Sequence, residues 1–451
     1  MRAARRSPVA ASRIATASRR LGGGRDSIVT RPSSLTTRAA TLHWRAWNVE
    51  PATSRTASGA IARSISRSVP PAAALSAVGR AARAFPAAPR GGGGGGGAAR
   101  VAVLRLDAMG DLLLSLPALR ALRAARPRDA LVLAVAPGLG ALARALAPAG
   151  EVAEVPVGWY RAAGRRPLAG WGGLVSFLRA GRFDAALDLR GDLRAILAMR
   201  AAGIARRAGS DATGGASWLT HAAPHPFGAH ASEAALAVVR RFVGGGARDP
   251  APGPVRCPAA WRDEAEDLLR ARGLAPDRPY AAVHPGAGTS AKRWSADRFA
   301  AVGRTLRARS LAVAVTGDAS EEPLARAVAE GIGPGAASLA GLATLPALGG
   351  ILAGARVLVA NDSGPAHLAA ALGTPLVSVF SGTNRAEEWA PRGARVAVLT
   401  HQVPCSPCAL RACPVVRGKS GRNPAKSREV DVWLQRCVTL GLDRDDPAKH
   451  V

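Results

Sequence analysis

A chain of 451 residues, 48% of them hydrophobic, carries enough apolar material for two or three domains with sizeable cores. Only 7 Phe and 2 Tyr stand beside 51 Gly, so those cores must be built from Ala, Leu and Val. The formal charge of +30 would ordinarily point to nucleic acid, but its distribution argues against that partner: residues 1–99 hold 16 Arg, no Lys and only Asp26 and Glu50, and the remaining +16 is spread over amphipathic patterns rather than gathered in one stripe.

Residues 1–98 are rich in Ala, Ser, Arg and Gly and close on the glycine run 91–97. Such a segment cannot bury enough apolar surface to offset its ordering entropy, and it is predicted to be disordered. Three readings of it stay open: an organelle transit peptide, a basic tail for nucleic acid or anionic lipid, and a translation start placed too far upstream. No membrane span is predicted. The uncharged runs 338–355 and 363–384 are broken by Gly and Pro where a strand–turn–helix pattern needs them, although the second exceeds ~18 residues.

Beyond the glycines, apolar strands alternate with helical patterns. Residues 101–107 read as a strand, 111–126 as a helix, 130–136, 151–157 and 183–189 as strands, and 233–243 as a helix. The stretch 244–258, richer in Pro and Gly, reads as an interdomain linker. The alternation then restarts: strand 280–284, helix 296–309, strand 311–316, helices 321–330 and 345–352, and strand 357–360. A helix closed by Gly373 and a strand to residue 380 follow. This predicts an α/β chain with two doubly wound, Rossmann-like domains, 99–255 and 256–451, facing each other across a cleft. The nucleotide is expected in the second domain and the acceptor in the first.

Four stations carry chemistry. In Arg105-Leu-Asp-Ala-Met-Gly-Asp111, Gly110 permits a sharp turn and Asp111 either caps the next helix or works as a general base. In the loop 283–295, Gly286 and Gly288 let backbone N–H groups approach a ligand, Thr289 and Ser290 add hydroxyls, and Lys292 and Arg293 suit a diphosphate. That loop is neither a Walker A nor a dinucleotide fingerprint, and a plain surface loop is the alternative. At 317–322, Glu321 or Glu322 could receive ribose hydroxyls, or could serve helix capping together with Ser320. In Asn361-Asp-Ser-Gly-Pro-Ala-His367, the residues Asp362, Ser363, Gly364 and His367 gather around a helix N-terminus, which favours phosphate; mere capping by Asp362 and Ser363 is the bland reading.

Taken in order, from about residue 101 to about 437, these stations resemble glycosyltransferase family 9, the ADP-heptose:lipopolysaccharide heptosyltransferases. The resemblance implies a GT-B fold and inverting transfer of heptose from ADP-heptose to a lipopolysaccharide-core or lipid-linked glycan, with no metal required for catalysis. It implies Asp111 as the base that deprotonates the acceptor hydroxyl and Lys292 as the group that neutralises the leaving diphosphate. Gly286, Gly288, Thr289, Glu321, Asp362, Ser363, Gly364 and His367 become donor-binding residues. Work in the cytoplasm, at the inner face of the cell membrane, follows from the same likeness. Another nucleotide sugar, or nucleotide binding without catalysis, are the competing readings. Cys405, Cys408, Cys413 and Cys437 could hold a structural zinc, an iron–sulfur cluster or a disulfide, or remain reduced thiols.

Overall fold

A computed structural model of the chain describes residues 98–160, 168–244, 253–400 and 405–413, all within one compact unit. Ala98 apart, the segment expected to be disordered lies outside the described residues, as do the core of the expected linker (245–252) and Cys437.

The first half runs β1 (Arg100–Arg105), α1 (Met109–Leu114), α2 (Leu116–Ala125), β2 (Ala130–Val135), α3 (Gly140–Leu146), β3 (Glu151–Glu154), α4 (Trp171–Ala180), β4 (Ala185–Asp188), α5 (Leu193–Ala201), β5 (Arg206–Ser210), β6 (His221–Ala223) and α6 (Ala231–Val243). Its six strands are all parallel, in the order β3-β2-β1-β4-β5-β6. The second half runs α7 (Ala259–Ala271), β7 (Tyr280–His284), α8 (Ala296–Ala308), β8 (Ala312–Val315), α9 (Glu322–Ile332), β9 (Ala336–Ser338), α10 (Leu345–Gly354), β10 (Leu358–Asn361), α11 (Gly364–Leu372), β11 (Leu376–Val379), α12 (Ala386–Trp389) and β12 (Val396–Leu399). Its sheet is again parallel and six-stranded, ordered β12-β11-β10-β7-β8-β9.

Both sheets are therefore doubly wound, and each reverses its strand order between its first and fourth strands. Such a reversal opens a crevice beyond the carboxyl ends of the strands, where open α/β sheets take ligands. In the first half that crevice lies past Arg105 and Asp188, and in the second past His284 and Asn361. The central strands β7, β10 and β11 are buried along their whole length, and β1 at all but its first residue. This is what unbroken Ala, Val and Leu runs produce when helices cover both faces of a sheet.

Several boundaries differ from the sequence expectation. The single helix expected at 111–126 is two, meeting at Ser115. Pro117, in the first turn of α2, has no N–H to continue the ladder of α1. The strand expected at 151–157 keeps regular pairing only to Glu154. Strands β5, β6 and β9, three to five residues long and only partly buried, carry no apolar run to mark them, whereas β12, the apolar run Val396–Leu399, was missed although its sequence shows it.

The two halves touch along α1 and α11. A side chain at Gly110 would sit 2.8 Å from Cδ2 of His367, and one at Gly364 would sit 2.4 Å from Cε of Met109. At Gly110 the neighbour is a buried ring, so a side chain there would have to displace it, whereas at Gly364 it is the flexible end of Met109. Arg392 pairs with Glu233 at 2.6 Å, and His230 Nε2 lies 2.8 Å from the Ala390 carbonyl, bridging the halves further out.

Candidate active site

The turn after β10 forms because Asn361 ends a buried strand and Gly364 and Pro365 open α11. Asn361 is fully buried and acts as a brace. Its Oδ1 accepts the Trp294 N–H at 2.9 Å, and its Nδ2 donates to the carbonyls of Pro285 at 2.8 Å and Gly286 at 3.3 Å. The loop after β7 is thereby tied to the turn after β10, so Thr289 and Lys292 are carried to the same crevice as Asp362 and Ser363.

Neither Asp362 nor Ser363 caps the helix through its side chain, which removes the bland reading of this turn. Asp362 Oδ2 instead lies 2.7 Å from Lys292 Nζ and accepts from Asn384 Nδ2 at 3.0 Å. Ser363 occupies the N-cap position without a side-chain capping bond, and its Oγ is buried with no hydrogen-bond partner. The same holds for Thr289 Oγ1 and His367 Nδ1. A buried polar atom without a partner costs stability, on the order of 1–3 kcal/mol. Ser363 and His367 lie at the N-terminal end of α11, and Thr289 lies on the loop that Asn361 ties to it, so these three groups are candidates for contacts with a polar ligand.

His367 is buried and its pKa is pushed down to about 4, chiefly by loss of solvation, so at neutral pH the ring is an uncharged hydrogen-bonding group. His284 is likewise pushed down to about 4 by burial, and its Nδ1 lies 3.1 Å from Thr316 Oγ1. The 3.8 Å approach of His284 Nε2 to Glu321 is therefore not an ion pair at neutral pH. Glu321 is buried, which raises its pKa, with Arg293 Nη2 3.6 Å from its Oε1. Its Oε2 accepts the Asp318 N–H at 3.2 Å, while Asp318 Oδ1 accepts from Ser320 N and Glu321 N. This reciprocal box makes Asp318, not Ser320, the cap of that turn and gives Glu321 a capping role, the alternative to ribose binding. Gly286 is packed on the Glu321 carboxyl, 2.2 Å from where its own side chain would be, whereas nothing lies within 4 Å of a side chain at Gly288.

Across the interface, Asp111 is not the N-cap of α1. Ala108 holds that position, and Asp111, three residues further in, reaches back to the Ala108 N–H at 3.3 Å. Asp111 Oδ1 lies 3.2 Å from Arg105 Nη2. Arg105, almost wholly buried, also meets Asp107 Oδ1 at 3.0 Å through Nε and donates to the Leu189 carbonyl at 3.0 Å. Asp107 in turn binds Arg190 at 2.8 Å, and the Arg190 guanidinium sits over the Tyr160 ring at 4.6 Å. Beside them Asp188 is buried and its pKa is pushed up to about 7, mainly by burial, although it accepts the Asp192 and Arg190 N–H groups. Gly110 brings this cluster against the ring of His367.

Gly110, next to Asp111, packs against His367, and the Asn361 brace ties the loop carrying Gly286, Gly288, Thr289 and Lys292 to the turn carrying Asp362, Ser363 and Gly364, with Glu321 packed on Gly286. Sequence reasoning missed Asn361 as a brace, Asn384, Asp107 and the buried Arg105. A cation ending an otherwise apolar strand was the one visible signal for Arg105. A cavity of about 790 Å³ lies elsewhere on the interface; Leu113, Leu116, Pro254, Ala370 and Val396 line it together with His367, but Asp111, Lys292 and Glu321 do not.

Cys405 is exposed and Cys408 and Cys413 are partly exposed, and all three are free thiols. Among the described residues no group of three or more His, Cys, Asp or Glu could hold a metal ion, so the expected zinc site finds no support there; Cys437, its fourth ligand, lies outside them.

Residues 171–417 match the model of glycosyltransferase family 9 (heptosyltransferase). Lipopolysaccharide heptosyltransferase 3 of Escherichia coli is 35% identical over 130 residues, covering 28% of this chain and 37% of the relative. Lipopolysaccharide heptosyltransferase 1 of Pseudomonas aeruginosa is 34% identical over 143 residues, 31% of this chain and 38% of the relative. The chain thus aligns with little more than a third of the length of these curated relatives. The solved structure of E. coli ADP-heptose LPS heptosyltransferase II superposes with a TM-score of 0.61 at 19% identity, over 76% of this chain and 98% of that one. That likeness is one of fold, the GT-B pairing of two α/β halves.

Proposed function

Since the chain belongs to glycosyltransferase family 9, we propose that it moves a heptose from ADP-heptose to an acceptor of the lipopolysaccharide-core type, with inversion and without a catalytic metal. The observation that carries this reading is the junction of the halves. Gly110, next to the Asp111 carboxylate, packs on His367 of the helix whose N-terminus carries the unpartnered Ser363 hydroxyl and, just before it, Asp362 paired with Lys292.

In this mechanism the adenosine lies past β7 and β8, with its ribose hydroxyls on Glu321. The diphosphate lies against the N-terminus of α11, where Ser363 and Thr289 find the partners they lack in the free protein. Asp362 acts on the donor through Lys292, holding the ammonium in place. As the acceptor oxygen attacks the anomeric carbon, its proton passes to Asp111 and the bond to the diphosphate breaks. The negative charge growing on the departing ADP is taken up by Lys292 and the helix N–H groups. Base and leaving group stand on opposite sides of the sugar, which gives inversion. Neutral His367 donates or accepts a hydrogen bond without competing for that charge. The basic excess of the folded part suits an acceptor rich in phosphate at an anionic membrane surface, at the cytoplasmic face.

The test is donor turnover by the full chain against ADP-, GDP- and UDP-sugars. ADP-heptose is expected to be consumed only when acceptor is present, and Asp111→Asn to lose at least ~100-fold in transfer, the scale of general-base catalysis, while ADP binding persists. Preference for another nucleotide sugar overturns the donor assignment, and intact transfer by Asp111→Asn overturns the base.

A further inference from the structure

We propose that Arg105 is a positioning residue that aims the Asp111 carboxylate into the crevice. The inference rests on the base assignment above and deepens it.

Arg105 is the last residue of β1, at the point where the first sheet reverses its strand order. Its side chain is 6% exposed, so its planar head is fixed by what it touches rather than by water. Nη1 donates to the Leu189 carbonyl at 3.0 Å, while Nε and Nη2 are ion-paired with Asp107 Oδ1 at 3.0 Å and Asp111 Oδ1 at 3.2 Å, the Nε approach lacking hydrogen-bond geometry. Asp107 is pinned from its other oxygen by Arg190. The guanidinium is thus anchored on two sides and offers its third edge to Asp111. The remaining oxygen, Oδ2, has only the long 3.3 Å bond from Ala108 N, and the Asp111 side chain keeps 18% of its surface open. One oxygen is held and the other left free to take a proton. A lysine, with its single nitrogen, could not meet Leu189, Asp107 and Asp111 from three separate nitrogens, so the contacts call for arginine. The charged groups around Asp111 are Arg105, Asp107 and Arg190 from the first half, and the neutral His367 ring faces its neighbour Gly110 from the second.

The experiment is a double-mutant cycle on the full chain with saturating acceptor, read as kcat and KM for ADP-heptose. Arg105→Lys is expected to lower kcat by roughly 10- to 100-fold with donor KM nearly unchanged, because only the transition state needs an aimed base. Introduced into Asp111→Asn, the same change should cost no more than about 2-fold, since there is no base left to aim. Arg105→Gln, which also removes the charge, should likewise lower kcat with donor KM nearly unchanged. Circular dichroism and thermal melts check that both variants fold; should Arg105→Gln not fold, the Arg105→Lys cycle decides alone. Equal losses from Arg105→Lys with and without Asp111 reduce Arg105 to a structural residue and overturn the proposal. Full transfer by Asp111→Asn alone removes the base assignment and this inference with it, so the two failures are told apart.

Discussion

Asn361→Ala is the substitution expected to expose most about how the site is held. The side chain makes three hydrogen bonds in a fully buried position, accepting from Trp294 N and donating to the Pro285 and Gly286 carbonyls. Truncation strands a buried N–H, which costs on the order of 1–3 kcal/mol, and weakens two carbonyls, which tolerate the loss better because each has a second lone pair. The 3.3 Å bond adds little. A total of about 2–4 kcal/mol is expected, seen as a lower urea midpoint by circular dichroism at unchanged slope. ADP binding should weaken as well, because the loop carrying Thr289 and Lys292 is no longer tied to the turn carrying Asp362. Asn361→Asp sharpens the test. Ionised, it sets a carboxylate against two carbonyl oxygens; protonated, it can donate to Pro285 again. Its folded pKa is therefore raised above the unfolded value, so its share of stability is present at low pH and lost as pH rises through the folded pKa. The Asp variant should be the weaker of the two at neutral pH and recover toward ~pH 4, near the unfolded carboxyl value. An Asp variant as stable as the parent at neutral pH would refute the brace.

Ser363→Ala removes a buried hydroxyl that has no partner, so thermal stability should hold or rise by up to ~1 kcal/mol while donor KM increases; a stability loss beyond that size would mean the hydroxyl serves the fold. Both His284 and His367 are pushed down to about 4 by burial, below the ~6.5 of an unfolded chain. The unfolded state therefore takes up protons that the native state refuses. Stability is full above ~6.5 and falls as pH drops toward about 4, by up to ~3 kcal/mol for each ring. Asp188, pushed up to about 7, slopes the other way, so the check compares parent with His284→Gln, whose stability should change less between those pH values; an identical slope counts against a buried neutral His284. Gly110→Ala would place a methyl 2.8 Å from the His367 ring and force the halves apart, with transfer falling at least ~10-fold and secondary structure intact by circular dichroism. Normal kinetics in that variant would mean that the close approach of the halves is not needed for transfer.

Much of this molecule is legible in its residues alone. Unbroken apolar runs such as Val101–Leu104 and Val357–Ala360 can form only strands covered on both faces, and their alternation with helices imposes parallel sheets. The turn residues at 361–364, with Gly110 and Gly286, locate the crevice, because turn and helix-start chemistry depends on near neighbours. What sequence could not supply was long-range geometry. Arg105 meets Leu189 across the sheet, Asn361 reaches back 76 residues to Pro285, and Lys292 finds Asp362 rather than open solvent. Whether Ser363 capped a helix or stood unpaired depended on the same packing. Local preference therefore determined which elements exist and where their turns fall. Side-chain partners separated by tens to hundreds of residues were decided by tertiary packing, because a hydrogen bond depends on ångström-scale placement that no spacing along a chain encodes.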